Sequence, residues 1–249
     1  MTRPGIGSGV GSVLLVGAIA LAPTAYAAVI DGTPGDDRLV GTPDRDEIRA
    51  RDGDDRVLAR GGRDLVFGGR GDDTLRGGRG WDDIFGDQGK DLLLGKRGTE
   101  HLIGGRGDDV VKGGKGHDIL GNPAPNFGFE GDDILRGGKL ADFIVDDKGD
   151  DVLSGGRGKA GDPSLFYIEY LSSGRGADQV HGGLGPDWLI PGEGADRVNG
   201  GQGPDEVDVR RDGRRDVINC GAGKDVVSYG KGTDRHDVLV SCEKVKTAQ

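Results

Sequence analysis

Carboxylates recur along this chain at a fixed spacing of nine residues. Between residues 37 and 118 an acidic side chain stands at every ninth position, and an aliphatic side chain follows two residues after each acid. Carboxylate oxygens are the ligands that hard divalent cations take. The recurring acids are therefore candidates for binding cations, and the recurring aliphatic residues are candidates for the core of the element that carries them.

The acids belong to a repeated unit with the pattern G-G-x-G-x-D-x-U-x, in which U is aliphatic. Its clearest copy is Gly68–Arg76, and position eight is aliphatic in every unit from Leu39 to Leu120. The acid at position six and the aliphatic residue at position eight keep the same spacing over this whole length, which composition alone does not produce. The acids at position six of this first block are Asp37, Asp46, Asp55, Asp64, Asp73, Asp82, Asp91, Glu100, Asp109 and Asp118.

The repeat continues in the second half with interruptions. An insertion at 122–127 shifts the frame, the pattern degrades at Ala160 and Glu169, and two extra residues, Val209 and Arg210, precede the last units. A final unit of this frame places Asp234 at position six. The other acids at position six in this half are Asp133, Asp142, Asp151, Asp178, Asp187, Asp196, Asp205, Asp216 and Asp225.

Each unit divides into a turn and a short strand. Glycines at positions one, two and four allow backbone angles with positive φ at little steric cost, and they let the carbonyl groups of the turn approach an ion. Positions seven to nine form an extended triplet in which only U points inward, because side chains alternate along a strand. The sequence therefore predicts tight turns alternating with short strands that bury one aliphatic residue each.

The unit resembles the calcium-binding nonapeptide repeat of RTX proteins, and the resemblance covers about residues 29–245. It implies an all-β fold, a right-handed parallel β-roll with two units per coil, in which units two apart stack about 4.8 Å from each other. It also implies calcium between successive acids of two columns, one beginning at Asp37 and the other at Asp46. The C-terminal end, from Asp216 to Glu243, is similar to secreted actinobacterial members of the hemolysin-type calcium-binding group.

Calcium is the cation that the ligand types favour. It takes roughly six to eight oxygens in flexible geometry, whereas magnesium demands a tight octahedron. Zinc prefers Cys or His, and the histidines share no ligand-like spacing. We therefore predict several bound Ca²⁺ ions and no histidine ligand. The histidines are His101, His117, His181 and His236.

Departures from the pattern mark turns where binding is expected to weaken. Glu100 has a longer arm than Asp, Asp44 and Leu140 replace the glycine of position four, and Ala160 removes a carboxylate. The stretch 163–171 has no turn glycine and carries aromatic residues. It is either a degenerate turn with an apolar strand or an exposed aromatic contact site.

Residues 1–27 have the pattern of a secretory signal peptide. Arg3 is followed by an apolar run and by Ala25-Tyr26-Ala27, which fits the small-x-small cleavage rule. The alternative is an N-terminal membrane anchor, although the run is short for a span. We expect export, an extracellular or surface location, and a mature chain that starts near Ala28.

Composition and charge limit the partners. The chain has 52 glycines, 5% aromatic residues and a net charge of −10, so a thick globular core is excluded and stacked repeats are needed to bury an apolar seam. An acidic chain repels nucleic acid and anionic lipid and attracts cations. Calcium ions are the predicted partners, with no nucleic acid and no membrane span, and a protein or glycan partner stays open.

Two cysteines, Cys220 and Cys242, lie near the C-terminus. In an exported chain an even count predicts a disulfide, and two free thiols are the alternative. A bridge there would hold the last turns, where a repeat array frays. The predicted divisions are 1–27 (signal peptide), 28–121 (first block), 122–127 (insertion), 128–208 (second block, degenerate over 155–172) and 209–249 (C-terminal repeats and disulfide cap).

Three functional hypotheses follow. The leading one is an exported calcium-binding repeat protein that folds as Ca²⁺ binds between the turns. The second is a structural or adhesive cell-surface protein that calcium stiffens. The third is an enzyme with its site in 155–172, which no nucleophile motif such as G-x-S-x-G supports, so we predict no enzymatic activity.

Overall fold

The computed structural model describes residues 28–121, 130–157, 168–231 and 233–248. Throughout these ranges the chain forms β-strands and turns and no helix, so none of the described residues lies in a helix that could span a membrane. The predicted signal peptide (1–27) and the insertion (122–127) lie outside the described residues. The all-β class is confirmed.

The strands are short and follow one another at intervals of about one repeat. In chain order they are β1 (Ala28–Asp31), β2 (Arg38–Val40), β3 (Asp46–Asp52), β4 (Arg56–Gly62), β5 (Leu65–Arg70), β6 (Thr74–Gly80), β7 (Asp83–Gln88), β8 (Leu92–Gly98), β9 (His101–Arg106), β10 (Val110–Lys115), β11 (Ile119–Leu120), β12 (Ile134–Lys139), β13 (Phe143–Val145), β14 (Val152–Arg157), β15 (Glu169–Ser172), β16 (Arg175–Gly176), β17 (Gln179–Leu184), β18 (Asp187–Ile190), β19 (Glu193–Gly194), β20 (Arg197–Gln202), β21 (Glu206–Val209), β22 (Val217–Ala222), β23 (Val226–Lys231), β24 (Val238–Val240) and β25 (Lys244–Ala248).

Successive strands alternate between two long parallel sheets. One sheet has 12 strands and begins β1-β3-β5, the other has 11 and begins β2-β4-β6, and β16 pairs with β19 in a small third sheet. Each strand pairs with the strand two units away, so that Leu75 lies between Val57 and Leu93. The fold is a parallel β-solenoid with two units per coil, as the family resemblance implies.

The core is the single aliphatic residue of each unit. From Ile48 to Ile144 the position-eight side chains are at most 2% exposed, and they form one continuous cluster with those of the later coils. Each contributes about 1.5–3 kcal/mol on burial. Because the seam is one side chain wide per strand, the coils depend on their neighbours for stability, as in other repeat proteins.

The strands extend further than the predicted triplet. β6 covers positions seven to nine and continues into the glycines, and its pairing with β4 skips Gly77. Gly78 and Gly80, at positions two and four, have φ of 126° and 135°, as expected of turn glycines. Gly77, at position one, has no positive φ; a Cβ there would lie less than 3.0 Å from Oδ2 of Asp82. Position one is glycine because of this close approach, and not because of its backbone angle.

The two replacements of glycine at position four behave differently. Leu140 adopts φ of 75°, as the glycine would, so the turn is kept at the cost of backbone strain. Asp44 does not appear among the residues of positive φ. Its turn is organised instead by Thr42, whose backbone N–H donates to Oδ2 of Asp46 at 2.6 Å.

The stretch predicted to be degenerate, 155–172, contains two regular strands. β14 and β15 bracket the undescribed residues 158–167, and Tyr170 of β15 pairs with Phe143 and Trp188 of the same sheet. Asp151 contacts Asp178, 27 residues on instead of 18. The interruption therefore adds one unit's length between coils, while Glu169 of β15 lies opposite Asp187 in the strand pairing. Ala160 lies outside the described residues.

A disulfide closes the C-terminal end, as predicted. It joins Cys220 and Cys242, whose Cα atoms are 5.1 Å apart. Cys220 is fully buried and Cys242 packs against the core cluster. The bridge ties the turn before β25 to β22, which holds the last coil to its neighbour.

Reduction of this disulfide is expected to destabilise the last coils. The bridge closes a segment of 22 residues, for which the loss of chain entropy in the unfolded state corresponds to about 3 kcal/mol. Urea unfolding in saturating calcium, with and without reductant, measures the change. Identical midpoints for the oxidised and reduced chains would contradict a stabilising role.

Candidate metal centre

The position-six carboxylates point into the solenoid at the start of each strand. They share the inward face with the aliphatic residue two places later, because side chains alternate. Asp73 shows the common arrangement: it is 1% exposed, and its Oδ1 accepts the backbone N–H of Asp55, one coil earlier, at 2.8 Å. Its own N–H donates to Oδ1 of Asp91 at 2.8 Å.

Such hydrogen bonds, and at Glu169 the strand pairing with Asp187, connect the acids into two columns, one along each edge of the solenoid. The first column contains Asp37, Asp55, Asp73, Asp91, Asp109, Asp133, Asp151, Asp178, Asp196, Asp216 and Asp237. The second contains Asp46, Asp64, Asp82, Glu100, Asp118, Asp142, Glu169, Asp187, Asp205, Asp225 and Glu243. The two columns are those that the family resemblance implies.

The second oxygen of most of these carboxylates has no hydrogen-bond donor. Oδ2 of Asp55, Asp73, Asp91 and Asp109, among others, is buried and without a partner. A buried carboxylate oxygen left in this way costs several kcal/mol of solvation unless a cation compensates it. Among the described residues, the buried charged side chains are all acids, so no lysine or arginine supplies that compensation.

A carbonyl oxygen of the next coil lies close to the free carboxylate oxygen. A Cβ built on Gly86 would be within 3.0 Å of both Oδ2 of Asp91 and the carbonyl oxygen of Gly104. The same convergence occurs at Gly68, Gly182 and Gly200. A carboxylate oxygen without a donor and a carbonyl oxygen beside the same glycine are the kinds of ligand that a hard cation takes.

Burial raises the pKa of these carboxyl groups. The pKa of Asp73 rises to about 7 through desolvation, with the charges of Asp91 and Asp55 adding to the effect. The pKa of Asp142 rises to about 8 by the same causes, burial first and then Asp118. Glu169 and Asp187 form a close pair in which burial and mutual repulsion raise the pKa of Glu169 well above its usual range. Charging every column without a cation is therefore unfavourable.

The first acid of each column is the exception. Oδ2 of Asp37 accepts the backbone N–H and the hydroxyl of Thr33, at 2.5 and 2.9 Å. The carboxylate of Asp46 accepts the corresponding two groups of Thr42, at 2.6 and 3.0 Å. The threonines satisfy oxygens that the other turns leave free, so these two turns close the columns at the N-terminal end.

The donor set of the columns fits calcium and does not fit zinc. Every ligand atom on offer is a carboxylate or carbonyl oxygen, which suits a hard cation. The histidines are engaged elsewhere: Nδ1 of His117 lies 2.8 Å from the carbonyl oxygen of Ala141, and Nδ1 of His236 lies 2.9 Å from Oδ1 of Asp234. Position-six acids of successive coils, with the nearby carbonyls, would hold the ions.

The predicted ligand residues all lie in the columns. All of them are buried except Asp37, which is partly exposed at the N-terminal end. That they bind calcium remains a prediction.

Several acids of the columns are missing from the predicted set. The frame assigned Ala160, Glu169 and Asp234 to position six and treated the units of Ala160 and Glu169 as degraded, whereas Glu169 lies in the second column, Asp237 ends the first column and Glu243 ends the second. The pattern acid-x-aliphatic-x after each of the three, as in Glu243-Lys-Val-Lys, was the available signal. Glu169 and Glu243 lie on the count of nines from Asp151 and Asp225, but the residues before them lack the glycines of the repeat, and Asp237 lies three residues beyond the counted position.

The comparisons with known proteins point the same way. The profile of the RTX calcium-binding nonapeptide repeat matches residues 31–66, 58–93, 94–121, 127–159, 172–207 and 212–235. None of the curated proteins matches the chain. The matched segments cover more than half of the sequence and contain most of both columns. With the repeats matched along the chain and their acids aligned inside a parallel solenoid, this chain belongs to the RTX calcium-binding nonapeptide repeat family.

Proposed function

We propose that this chain is an exported calcium-binding protein that folds as Ca²⁺ binds between successive turns. The observation that carries the proposal is the set of buried Oδ2 atoms that have no hydrogen-bond donor. They lie in two columns with no buried basic side chain among the described residues. A cation that bridges successive acids removes both the unmet solvation and the repulsion along each column.

Folding and binding are coupled in this proposal by the weakness of the apolar seam. One buried aliphatic side chain per unit contributes about 2 kcal/mol, while ordering the backbone costs roughly 1–2 kcal/mol for each of the unit's residues. Backbone hydrogen bonds offset part of the entropy cost that burial leaves uncompensated, whereas repulsion within the charged columns adds to the cost of folding. An ion that binds only the folded form adds stability as its concentration rises above its dissociation constant.

The test is a calcium titration of the full chain at neutral pH, followed by circular dichroism and by a direct binding measurement. We expect little β-signal in excess chelator, a cooperative rise at calcium concentrations on the order of millimolar, as for other extracellular sites, and several bound ions per chain. Magnesium at the same concentration should not replace calcium. A chain with the same β-signal in chelator and in calcium, or with no bound calcium, would refute the proposal.

Export is the second part of the proposal. RTX repeats are typical of extracellular proteins, and residues 1–27 carry the signal-peptide pattern. Extracellular fluid also supplies calcium at the concentration that weak oxygen sites need. Intact-mass measurement of the secreted protein is expected to give a chain that starts near Ala28, and a secreted chain that retains residues 1–27 would contradict this part.

A calcium-stiffened surface protein is the alternative that one observation favours. Phe143 and Tyr170 stack on the outer face of one sheet with ring centroids 4.7 Å apart, and Trp188, 41% exposed, meets Tyr170 edge-on at 5.5 Å. Such an exposed aromatic row suits contact with another surface. Cell fractionation distinguishes the two: recovery in the cell-wall fraction supports the alternative, and recovery in the medium supports the first proposal.

Enzymatic activity is not part of the proposal. The family consists of calcium-binding β-roll repeats and is not typically enzymatic. Adjacent acids such as Asp72 and Asp73 do not form a catalytic pair, because Asp72 is exposed and Asp73 is buried. Glu169, within the stretch once considered for a site, takes a regular place in the second column.

A further inference from the structure

One turn carries an acid where the repeat has glycine. Asp146 occupies position one of the turn that ends at Asp151, and it is 4% exposed. At the corresponding glycines a Cβ would lie less than 3.0 Å from Oδ2 of the acid of the same turn, as at Gly68 and Asp73. A side chain at position one therefore projects beside that carboxylate, and an aspartate there adds a third carboxylate to the pair of its column.

The three carboxylates converge. Asp133, Asp146 and Asp151 each place a carboxylate oxygen within 4.8 Å of the other two, and all three residues are buried. Within the described residues, no other group of three acids, histidines or cysteines comes together in this way.

Each of the three residues has one oxygen held and one oxygen free. Oδ1 accepts a backbone N–H in every case, from Asp109 to Asp133 at 2.6 Å, from Asp147 to Asp146 at 2.7 Å, and from Asp133 to Asp151 at 2.9 Å. Oδ2 of all three is buried and has no hydrogen-bond partner. The hydrogen bonds at Oδ1 hold the three carboxylates in position, so that their Oδ2 atoms are available to the same ion.

We propose that Asp133, Asp146 and Asp151 form a three-carboxylate calcium site that binds Ca²⁺ more tightly than the two-carboxylate turns of the same columns. The inference rests on the proposed function, which assigns calcium to the columns, and adds a position-one ligand that the repeat does not have. Calcium affinity rises with the number of charged ligands and with the rigidity of the site. This site has one more charged ligand than the ordinary turns and is held as rigidly as they are.

The consequence is an order of filling. As calcium is withdrawn, the ion beside Asp146 is expected to be the last to leave, since no ordinary turn offers a third carboxylate to the same ion. The three free oxygens also repel one another more strongly than a pair does. The turn from Asp146 to Asp151 should therefore be the least ordered of the described turns when calcium is absent and the most ordered at low calcium.

The test compares four full-length chains: wild type, Asp146→Asn, Asp146→Gly and Asp150→Asn. Asp146→Gly restores the residue that the repeat uses at position one. Asp150→Asn removes the same charge from the same turn, but Asp150 is exposed and its Oδ1 accepts the N–H of Ala177 at 2.8 Å, which the amide oxygen of asparagine can also accept. Calcium binding is measured by competition with a chromophoric chelator, and folding by circular dichroism in saturating calcium.

Wild type and Asp150→Asn should each show one ion bound more tightly than the rest. Both Asp146 variants should weaken this ion by roughly tenfold or more, because a charged ligand is lost, while folding in saturating calcium is unchanged. If both Asp146 variants still bind one ion tightly, or if Asp150→Asn loses the tight ion, the three-carboxylate site is wrong. Neither result contradicts calcium binding by the two columns. Wild type that binds no calcium overturns the proposed function as well.

Discussion

In excess chelator, acidification from about pH 8 to about pH 5 is expected to fold the chain, because protons replace the missing cations. The pKa of Asp55 is raised to about 6, of Asp73 to about 7 and of Asp142 to about 8, in each case mainly by burial. A carboxyl group whose pKa is higher in the folded chain than in the unfolded chain favours folding below the unfolded pKa, near 4. This stabilisation of the folded chain is lost as the pH rises through about 6 to 8, the pKa values of these groups in the folded chain.

Far-UV circular dichroism against pH, in chelator and in saturating calcium, measures this effect. In chelator the β-signal should rise as the pH falls through the range 8 to 6, and the rise should be steep because many carboxyl groups of two columns take up protons together. In calcium the folded form should persist at pH 8, and calcium binding near pH 7 should release protons. A β-signal in chelator that falls on acidification over this range would contradict the burial of the columns.

Exchange of a buried acid for its amide is expected to act in opposite directions with and without calcium. Asp73→Asn removes a charge from the first column between Asp55 and Asp91. In the proposed function this charge serves the calcium sites of two successive pairs of turns. The calcium midpoint should rise severalfold, as expected when the ligand charge of a calcium site falls. In chelator at pH 8 the same variant should be no less folded than wild type, because one source of repulsion is gone.

Asp72→Asn is the matched control. Asp72 is the exposed neighbour of Asp73, and its Oδ1 accepts the backbone N–H of Lys90 at 2.8 Å, a bond that an amide oxygen can keep. Both substitutions change the net charge equally. If the calcium midpoint shifts by the same amount in the two variants, the shift comes from the change in net charge. Asp73 would then not be a calcium ligand.

Much of this architecture could be predicted from the sequence because the physical constraint on each unit is local. An inward carboxylate, an aliphatic residue two places later and glycines at fixed positions leave few conformations open to nine residues. This is why the parallel stack, the buried seam at Leu75 or Leu93, and the two columns agree with expectation. The pairing of Cys220 with Cys242 was predictable on different grounds, since only two cysteines are present.

What the sequence did not reveal depends on contacts between coils. The count of nines runs from Asp151 through Ala160 and Glu169 to Asp178, but it does not show that one unit lies outside the coils, and only the pairing of Tyr170 with Phe143 fixes Glu169 in its column. The role of the first glycine was misassigned, because its constraint is the approach of a carboxylate and a neighbouring carbonyl and not a dihedral angle. Asp146 was not predicted as a ligand for the same reason. If position one served only the backbone conformation, an acid at that position would have no ion to bind.

The hydrogen-bond ladder gives the solenoid a direction. Along most of both columns the position-six amide donates to the carboxylate one coil further along the chain, as from Asp55 to Asp73, so these coils end with a donor that the next coil satisfies. Thr33 and Thr42 donate to the first acid of each column, Asp37 and Asp46, and the disulfide closes the C-terminal end. The molecule thus has a start and a stop of different chemistry around an interior that repeats. Whole coils can be added to or removed from that interior without altering either terminus, so the number of carboxylate pairs in the columns rises with the number of coils.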